Sequence, residues 1–265
     1  MNSVKNAFRI ENVSVAYGKA QALKDISLTI AESSVTSIIG LNGSGKSTLL
    51  KALASCVKLQ EGKITVLDKV DDKKGLNRKK TSLLISYLPQ YRPIPDCSVE
   101  QLLLYGRFPH KSFLRSYSNE DRAFVERVLS ENNLLRFAKM PLSALSGGQR
   151  QKAYIAMALC QDTKILLLDE PLTFLDIKEQ FEILSLLRSV AKTKGKTVVM
   201  VSHNLDFSLT FSSSIILLDK GRLSYHGSAE GAKEYIESVF RVRAHKVLLS
   251  DSSLHYVFTP LPPRP

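Results

Sequence analysis

Val35-Thr-Ser-Ile-Ile-Gly40-Leu41-Asn42-Gly43-Ser44-Gly45-Lys46-Ser47-Thr48 sets an apolar, β-type run directly before a glycine-rich loop and a helical pattern that continues to Ser55. The loop satisfies G-x-x-x-x-G-K-[ST] between a predicted strand and a predicted helix, the setting that gives this spacing its meaning. Gly43 and Gly45 let backbone N–H groups turn inward around phosphate oxygens with no Cβ in the way. The helix beginning near Lys46 points its positive end at the same anion. Lys46 is placed to reach the β- and γ-phosphates, and the Ser47 hydroxyl to coordinate Mg²⁺. Gly40 to Thr48 are therefore expected to cradle a nucleoside triphosphate.

Strand signals build outward from this loop. Phe8–Tyr17, Ile26–Ile30 and Lys63–Leu67 read as strands, and Leu84–Leu88 as another that ends at Pro89-Gln90. Past residue 150 strands and helices alternate. Ile165–Leu168 and Thr197–Val201 have the composition of fully buried strands. Between them Asp176 and Glu179 cap a helix running to Gly195, with Phe181, Leu184 and Leu187 on one stripe. Ser214–Leu218 and Arg222–Tyr225 close the sheet, and the alternation implies a mainly parallel α/β core. Residues 91–150 differ. Pro93, Pro95 and Pro109 punctuate them, and Ser98 with Gln101 and Ser118 with Asp121 form capping boxes. Phe124, Val125, Val128 and Leu129 share a face of the second of these helices, so the segment reads as a helical insert.

Composition narrows the classes. With 265 residues and 44% hydrophobic content the chain can bury a full core. No apolar run approaches the ~20 residues of a bilayer span. Met1 to Arg9 carries no apolar h-region, which predicts no signal peptide. Cys56, Cys97 and Cys160 lack metal-ligand spacing and suit a reducing cytoplasm. Cys97, close to Gln90, reads as a buried, idle thiol rather than a reactive one. The net charge of +12 fits nucleic acid, an anionic membrane or a phosphorylated ligand. Its one dense cluster, Lys73, Lys74, Arg78, Lys79 and Lys80, is mixed with Asp71, Asp72 and Gly75 and reads as a solvated loop.

Two further stretches carry chemistry. Ile165-Leu-Leu-Leu-Asp169-Glu170-Pro171 puts two carboxylates at the carboxyl end of an apolar strand, where ligands of open α/β sheets bind. Asp169 is expected to hold Mg²⁺ and Glu170 to direct the attacking water. Leu145-Ser146-Gly147-Gly148-Gln149-Arg150 combines a capping box with two glycines that leave a helix start open, a second anion site in the same chain. One loop already cradles the phosphates, so this site suggests a nucleotide shared between two copies.

This set of motifs resembles the ATP-binding cassette (ABC) ATPases over nearly the whole chain. The resemblance implies an ABC ATPase core of mixed, mainly parallel sheet with helices, an N-terminal antiparallel β part and a helical subdomain at about 91–150. It places the nucleotide-binding domain at 1–240 and a C-terminal tail at 241–265. Tyr17 matches the aromatic that stacks on adenine. Gln90 matches the Q-loop glutamine that senses Mg²⁺ and meets the membrane partner, Leu175-Asp176 the D-loop, and His203 the switch histidine at the γ-phosphate. Lys46, Glu170 and His203 are the implied catalytic groups, ATP and Mg²⁺ the implied ligands. Pro171-Leu172-Thr173 departs from the Pro-Thr that often follows the family's catalytic glutamate.

Within the family, Tyr105-Gly-Arg-Phe-Pro-His110 looks like the G-R-[YF]-P-H segment of cassettes that energise uptake of ferric siderophores, haem and vitamin B12; read alone it is also a proline-terminated helix end. Thr173–Ile177 with Gln180, Gln149–Gln151 with Ala156–Leu159, and Tyr235–Phe240 with the proline-rich end look similar to the same group. Zinc and manganese cassettes share much of this architecture. The resemblance implies a second copy of the chain, a separate membrane permease and an extracytoplasmic binding protein as partners, with the chain peripheral on the cytoplasmic face of the cell membrane. A soluble cassette acting on nucleic acid or ribosomes is the competing reading. It is weakened by the single cassette and the lack of a coiled-coil insertion, so no nucleic-acid partner is expected. The closing segment, Thr259 to Pro265, is expected to be extended and poorly ordered.

Overall fold

Two long strands, β1 (Asn6–Tyr17) and β2 (Ala20–Ala31), open the chain as an antiparallel pair, with Phe8, Ile10, Val13 and Val15 buried from β1. The computed structural model describes residues 5–67, 69–70, 78–110, 116–250 and 254–261. The chain then leaves this pair as β3 (Val35–Gly40), turns through the glycine-rich loop into α1 (Lys46–Leu53), and returns as β4 (Glu61–Val66) and β5 (Lys69–Val70). The four outer strands form one antiparallel sheet in the order β2-β1-β4-β5. The basic residues Lys73 and Lys74, with Asp71, Asp72 and Gly75, lie outside the described residues, as do the side chains of Arg78, Lys79 and Lys80.

The remaining elements are α2 (Arg78–Leu84), β6 (Ile85–Leu88), α3 (Val99–Gly106), α4 (Asn119–Glu131), α5 (Gly147–Cys160), β7 (Ile165–Asp169), α6 (Ile177–Lys194), β8 (Thr197–Val201), α7 (Leu205–Phe211), β9 (Ser214–Asp219), β10 (Arg222–Gly227), α8 (Lys233–Phe240), β11 (Val242–Leu248) and β12 (Leu254–Pro260). A six-stranded sheet in the order β10-β9-β3-β8-β7-β6 forms the centre, parallel except for the edge strand β10. Every residue of β3, β7 and β8 is buried, because helices or the antiparallel sheet cover both faces. Leu49, Leu50 and Leu53 of α1 pack between the two sheets with Leu167 and Val199, while α3, α4, α5 and α6 share a second apolar cluster around Leu103, Val128, Ile155 and Leu187.

Helix starts follow the local chemistry. Ser98, Ser118 and Ser146 each accept a hydrogen bond from the backbone N–H three residues on, and the side-chain oxygens of Gln101, Asp121 and Gln149 accept from the cap backbone N–H in turn. Asp176 caps α6, which ends at Gly195 in the left-handed region (φ 60°). Two element boundaries and one side chain differ from the sequence reading. β2 begins at Ala20 because pairing with β1 continues to the hairpin turn, and Leu84 closes α2 rather than opening β6. Phe181 leaves the buried stripe of Ile183, Leu184 and Leu187 and stacks on Phe207 and Phe211 of α7, at ring-centroid distances of 5.2 and 6.1 Å.

The expected loose tail is also corrected: Thr259 and Pro260 belong to β12, which pairs antiparallel with β11 from Val242 opposite Pro260 to Leu248 opposite Leu254. Ala244 and Tyr256 bury against Ile39, Leu209 and Ile236, and Asp206 of α7 accepts the Tyr256 N–H at 2.8 Å. Cross-strand apolar pairs and that carboxylate hold the segment. Pro262 to Pro265 lie outside the described residues.

One close approach joins the helical insert to α5. A Cβ on Gly106, the last residue of α3, would fall inside van der Waals distance of the Met157 backbone carbonyl. Arg107 then donates to the Cys160 carbonyl (3.0 Å), and His110 Nε2 meets the Gln161 carbonyl (2.8 Å). These are carbonyls that the end of α5 leaves without helical partners. Gly106→Ala should therefore destabilise the protein by about 2 kcal/mol through overpacking, read as a lowered melting temperature in thermal denaturation; an unchanged melting temperature would contradict the close packing.

Candidate active site

Parallel strands deliver their carboxyl ends to one edge of the central sheet, and register sets what meets there. β3 ends at Gly40, β6 runs through Leu88 into Pro89-Gln90, β7 ends at Asp169, and β8 leads into Ser202-His203. Leu88 pairs with Leu168, and Asp169 with Val201, so Glu170 emerges between Gln90 and His203.

The glycine-rich loop has the geometry its sequence implies. Gly45 adopts φ 100°, and a Cβ there would sit 2.7 Å from the Ala22 carbonyl, so only glycine fits. Gly45 is also the N-cap of α1 and supplies no side-chain cap, leaving the first-turn N–H groups to an anion. Lys46 is buried, and its ammonium donates to the Gly40 and Leu41 carbonyls at 2.9 Å each. An ammonium has three donors, so one remains for a phosphate oxygen. Burial lowers the Lys46 pKa, an effect opposed by the Glu170 and Asp169 carboxylates. The Ser44 hydroxyl is buried without a protein partner, as expected of a phosphate ligand. Leu41 is exposed and Tyr17 half-exposed at the end of β1, where its ring is open to a base.

Ser47 Oγ donates to Asp169 Oδ1 at 3.0 Å, which brings together two of the three residues expected at the metal; the third, Gln90, instead donates to Glu170. Burial raises the Asp169 pKa; the Ser47 hydrogen bond opposes that and the neighbouring Glu170 charge adds to it. A cation beside the pair would relieve this cost. Among the described residues no three His, Cys, Asp or Glu side chains cluster as a metal cage. Two protein oxygens beside a phosphate loop suit Mg²⁺, which takes one or two side-chain ligands and completes its shell with phosphate and water.

Glu170 is the meeting point. Its backbone lies in the left-handed region (φ 52°), which turns the chain sharply where β7 ends. Its carboxylate accepts from Gln90 Nε2 at 2.7 Å and from Thr173 Oγ1 at 3.1 Å on one oxygen, and meets His203 Nε2 at 2.5 Å on the other. A carboxylate offers about four acceptor positions, so one remains for a water. Glu170, Gln90 and His203, separated by 80 and 33 residues, thus form one cluster. Thr173, in the segment that departs from the family pattern, is a fourth member the sequence reading missed.

Ser146 and Gln149 exchange their capping bonds at the start of α5, with Gly147 and Gly148 in its first turn. Asp176 accepts the Glu179 N–H at 2.8 Å and so serves as the cap of α6. The structure brings neither Ser146–Gln149 nor Asp176 into hydrogen-bond contact with the Glu170 cluster of their own chain. Phe174, beside Asp176, is 99% exposed, and Ile177 is exposed as well. Two large apolar side chains therefore flank Asp176 at the surface.

Three comparisons with known proteins agree. The sequence profile of the family described as "ABC transporter" matches residues 23–173. The iron(3+)-hydroxamate import ATP-binding protein of Bacillus subtilis is 37% identical over 245 residues, covering 91% of this chain and 90% of that protein. Among solved structures, a chain assigned to a metal-chelate type ABC transporter in an inward-facing conformation superimposes with a TM-score of 0.84 at 28% identity, over 97% of this chain and 98% of that one. A dimeric ATP-binding cassette in a post-hydrolysis state with ADP and phosphate gives 0.70 at 30% identity, over 84% and 98%.

Lys46→Ala should lower ATP affinity about tenfold or more, the loss of a charge-assisted hydrogen bond. Titration with a fluorescent ATP analogue reads this directly, and unchanged affinity would remove Lys46 from the phosphate site.

Proposed function

This chain belongs to the ABC transporter family of ATP-binding cassette ATPases, and from that premise we propose that it is the ATP-hydrolysing subunit of an importer of iron complexes. The convergence of Gln90, Thr173 and His203 on the Glu170 carboxylate carries the hydrolytic half of this reading. In it, Gly40 to Thr48 and the Tyr17 ring hold ATP, and Glu170 accepts a proton from the attacking water while orienting it in line with the γ-phosphate. Lys46 and His203 stabilise the charge that spreads over the transferred group. Mg²⁺, held by Ser47 and Asp169 and sensed by Gln90, would neutralise charge on the β- and γ-phosphates.

Two copies act together, each supplying Ser146, Gly147, Gly148 and Gln149 to the nucleotide on the other's phosphate loop, with Asp176 near the junction. The exposed Phe174, Ile177 and Leu41 support such a face. Residues 1–240 form the nucleotide-binding domain with its helical subdomain at about 91–150, followed by a C-terminal segment at 241–265. Among the described residues no helix is long and apolar enough to cross a membrane, and in this reading the spanning path is supplied by a separate permease. Tyr91 (85% exposed) and Ile94, which follow Gln90 in the chain, and Tyr105 and Phe108 (66%), at and just after the end of α3, are exposed apolar side chains suited to that partner. The chain would sit on the cytoplasmic face of the membrane, with an extracytoplasmic binding protein delivering cargo. The names of similar proteins, an iron(3+)-hydroxamate import ATP-binding protein among them, support a ferric siderophore over free zinc or manganese; haem and a cobalamin-like cobalt chelate are the other chelates this reading admits.

Glu170→Gln should bind ATP, persist as a closed pair and lose hydrolysis by about 10²-fold or more. Tagged Glu170→Gln protein with Mg-ATP should recover a polytopic permease from detergent-solubilised native membranes. Wild-type turnover would remove Glu170 from its role, and recovery of ribosomes or nucleic acid without a membrane protein would overturn the importer reading.

A further inference from the structure

Glu179 is the third residue of α6, where an acidic side chain ordinarily folds back to its own helix cap. Here Asp176 accepts the Glu179 N–H, but the Glu179 carboxylate crosses to the next helix and lies directly on Gly148. Any Cβ at Gly148 would collide with that carboxylate, and Ser146 Oγ donates to Glu179 Oε1 at 3.4 Å. The first turn of α5 has no acidic residue of its own, so the Glu179 carboxylate is the anion that faces its positive end. An ion pair between Lys152 and Glu182, further along both helices, fastens the two elements in this arrangement. An open cleft of about 910 Å³ lined by Gln149, Lys152, Asp176, Glu179 and Glu182 adjoins the contact.

We propose that Glu179 is an internal latch: its carboxylate takes the Ser146 hydroxyl and covers Gly148, the place that the γ-phosphate of the partner copy's ATP must take. This rests on the reading that two copies share each nucleotide. A carboxylate and a phosphate cannot hold the same hydroxyl and helix end at once, and both being anionic they repel at this range. Closure of the pair therefore requires the Glu179 side chain to turn out into the adjoining cleft. ADP, which lacks the γ-phosphate, does not reach that site and leaves the latch in place. The latch raises the ATP requirement for pairing and leaves the affinity of a single chain for nucleotide unchanged, because Gly40 to Thr48 belong to the other half of the composite site.

The test compares Glu170→Gln with Glu170→Gln/Glu179→Gln by sedimentation velocity across a series of Mg-ATP concentrations. Gln keeps the size and removes the charge, and Glu179→Ala in the same background controls for side-chain packing. The ATP concentration at half-maximal dimer should fall about two- to fivefold on removing the charge, with monomer affinity for a fluorescent ATP analogue unchanged and no dimer in ADP. An unchanged or higher ATP requirement in both folded variants, while Glu170→Gln itself dimerises, overturns the latch alone. If no variant dimerises in Mg-ATP, the shared-nucleotide reading fails and the latch with it.

Discussion

A carboxylate standing at the end of an all-apolar strand must be given partners, and the Glu170 carboxylate is given three. β7 is buried along its whole length between β6 and β8, so the residues that follow these three strands have nowhere to go but together. Gln90 arrives from β6, His203 from β8, and Thr173 from the turn that the left-handed Glu170 backbone begins. Each donor neutralises part of a charge that would otherwise be costly at a partly buried site. The same bonds make Glu170 responsive: a change that moves Gln90 or His203 alters which carboxylate oxygen faces water. Catalytic readiness and strand register are one constraint here.

The helix α5 connects that site to the surface proposed to meet the permease. Arg107 and His110 hold its carboxyl end, next to exposed Tyr105 and Phe108, and Glu179 covers its amino end at Gly148. In between, Gln151 donates to the Pro171 carbonyl just after Glu170 and accepts from Arg92 at 2.7 Å. Arg92 follows the Gln90 segment directly and stacks on Tyr154 of α5, 4.6 Å from the ring centre. Hydrogen bonds thus run without a break from Arg92 through Gln151 of α5 to the turn after Glu170. The Gly106–His110 segment thus is a helix end as well as a family-like motif, and its geometry explains why glycine, arginine and histidine occur together there.

Much of this was legible in the sequence because it is local. The phosphate loop, the three capping boxes and the buried strands Ile165–Asp169 and Thr197–Val201 are each decided within a few residues by backbone chemistry or apolar run length. What stayed hidden depends on side-chain geometry that only the folded chain decides. Nothing in Thr173 announces its bond to Glu170. The Glu179 carboxylate reads as half a capping box until α5 is seen beside it, and Phe181 fits a buried stripe until α7 offers two rings. The β11–β12 hairpin left a signal that the terminal prolines obscured, since Ala244 and Tyr256 sit at alternating, inward positions of short strand-like runs.

The central claim is that each ATP is hydrolysed between two chains, one giving the phosphate loop and the other giving Ser146 to Gln149. Mixing Lys46→Ala protein with Ser146→Arg protein tests it most directly, since only the mixed pair can assemble an intact composite site. The account predicts negligible ATP hydrolysis by either variant alone and clear recovery on mixing. Full activity of Ser146→Arg alone, or a mixture as inactive as its components, would contradict it.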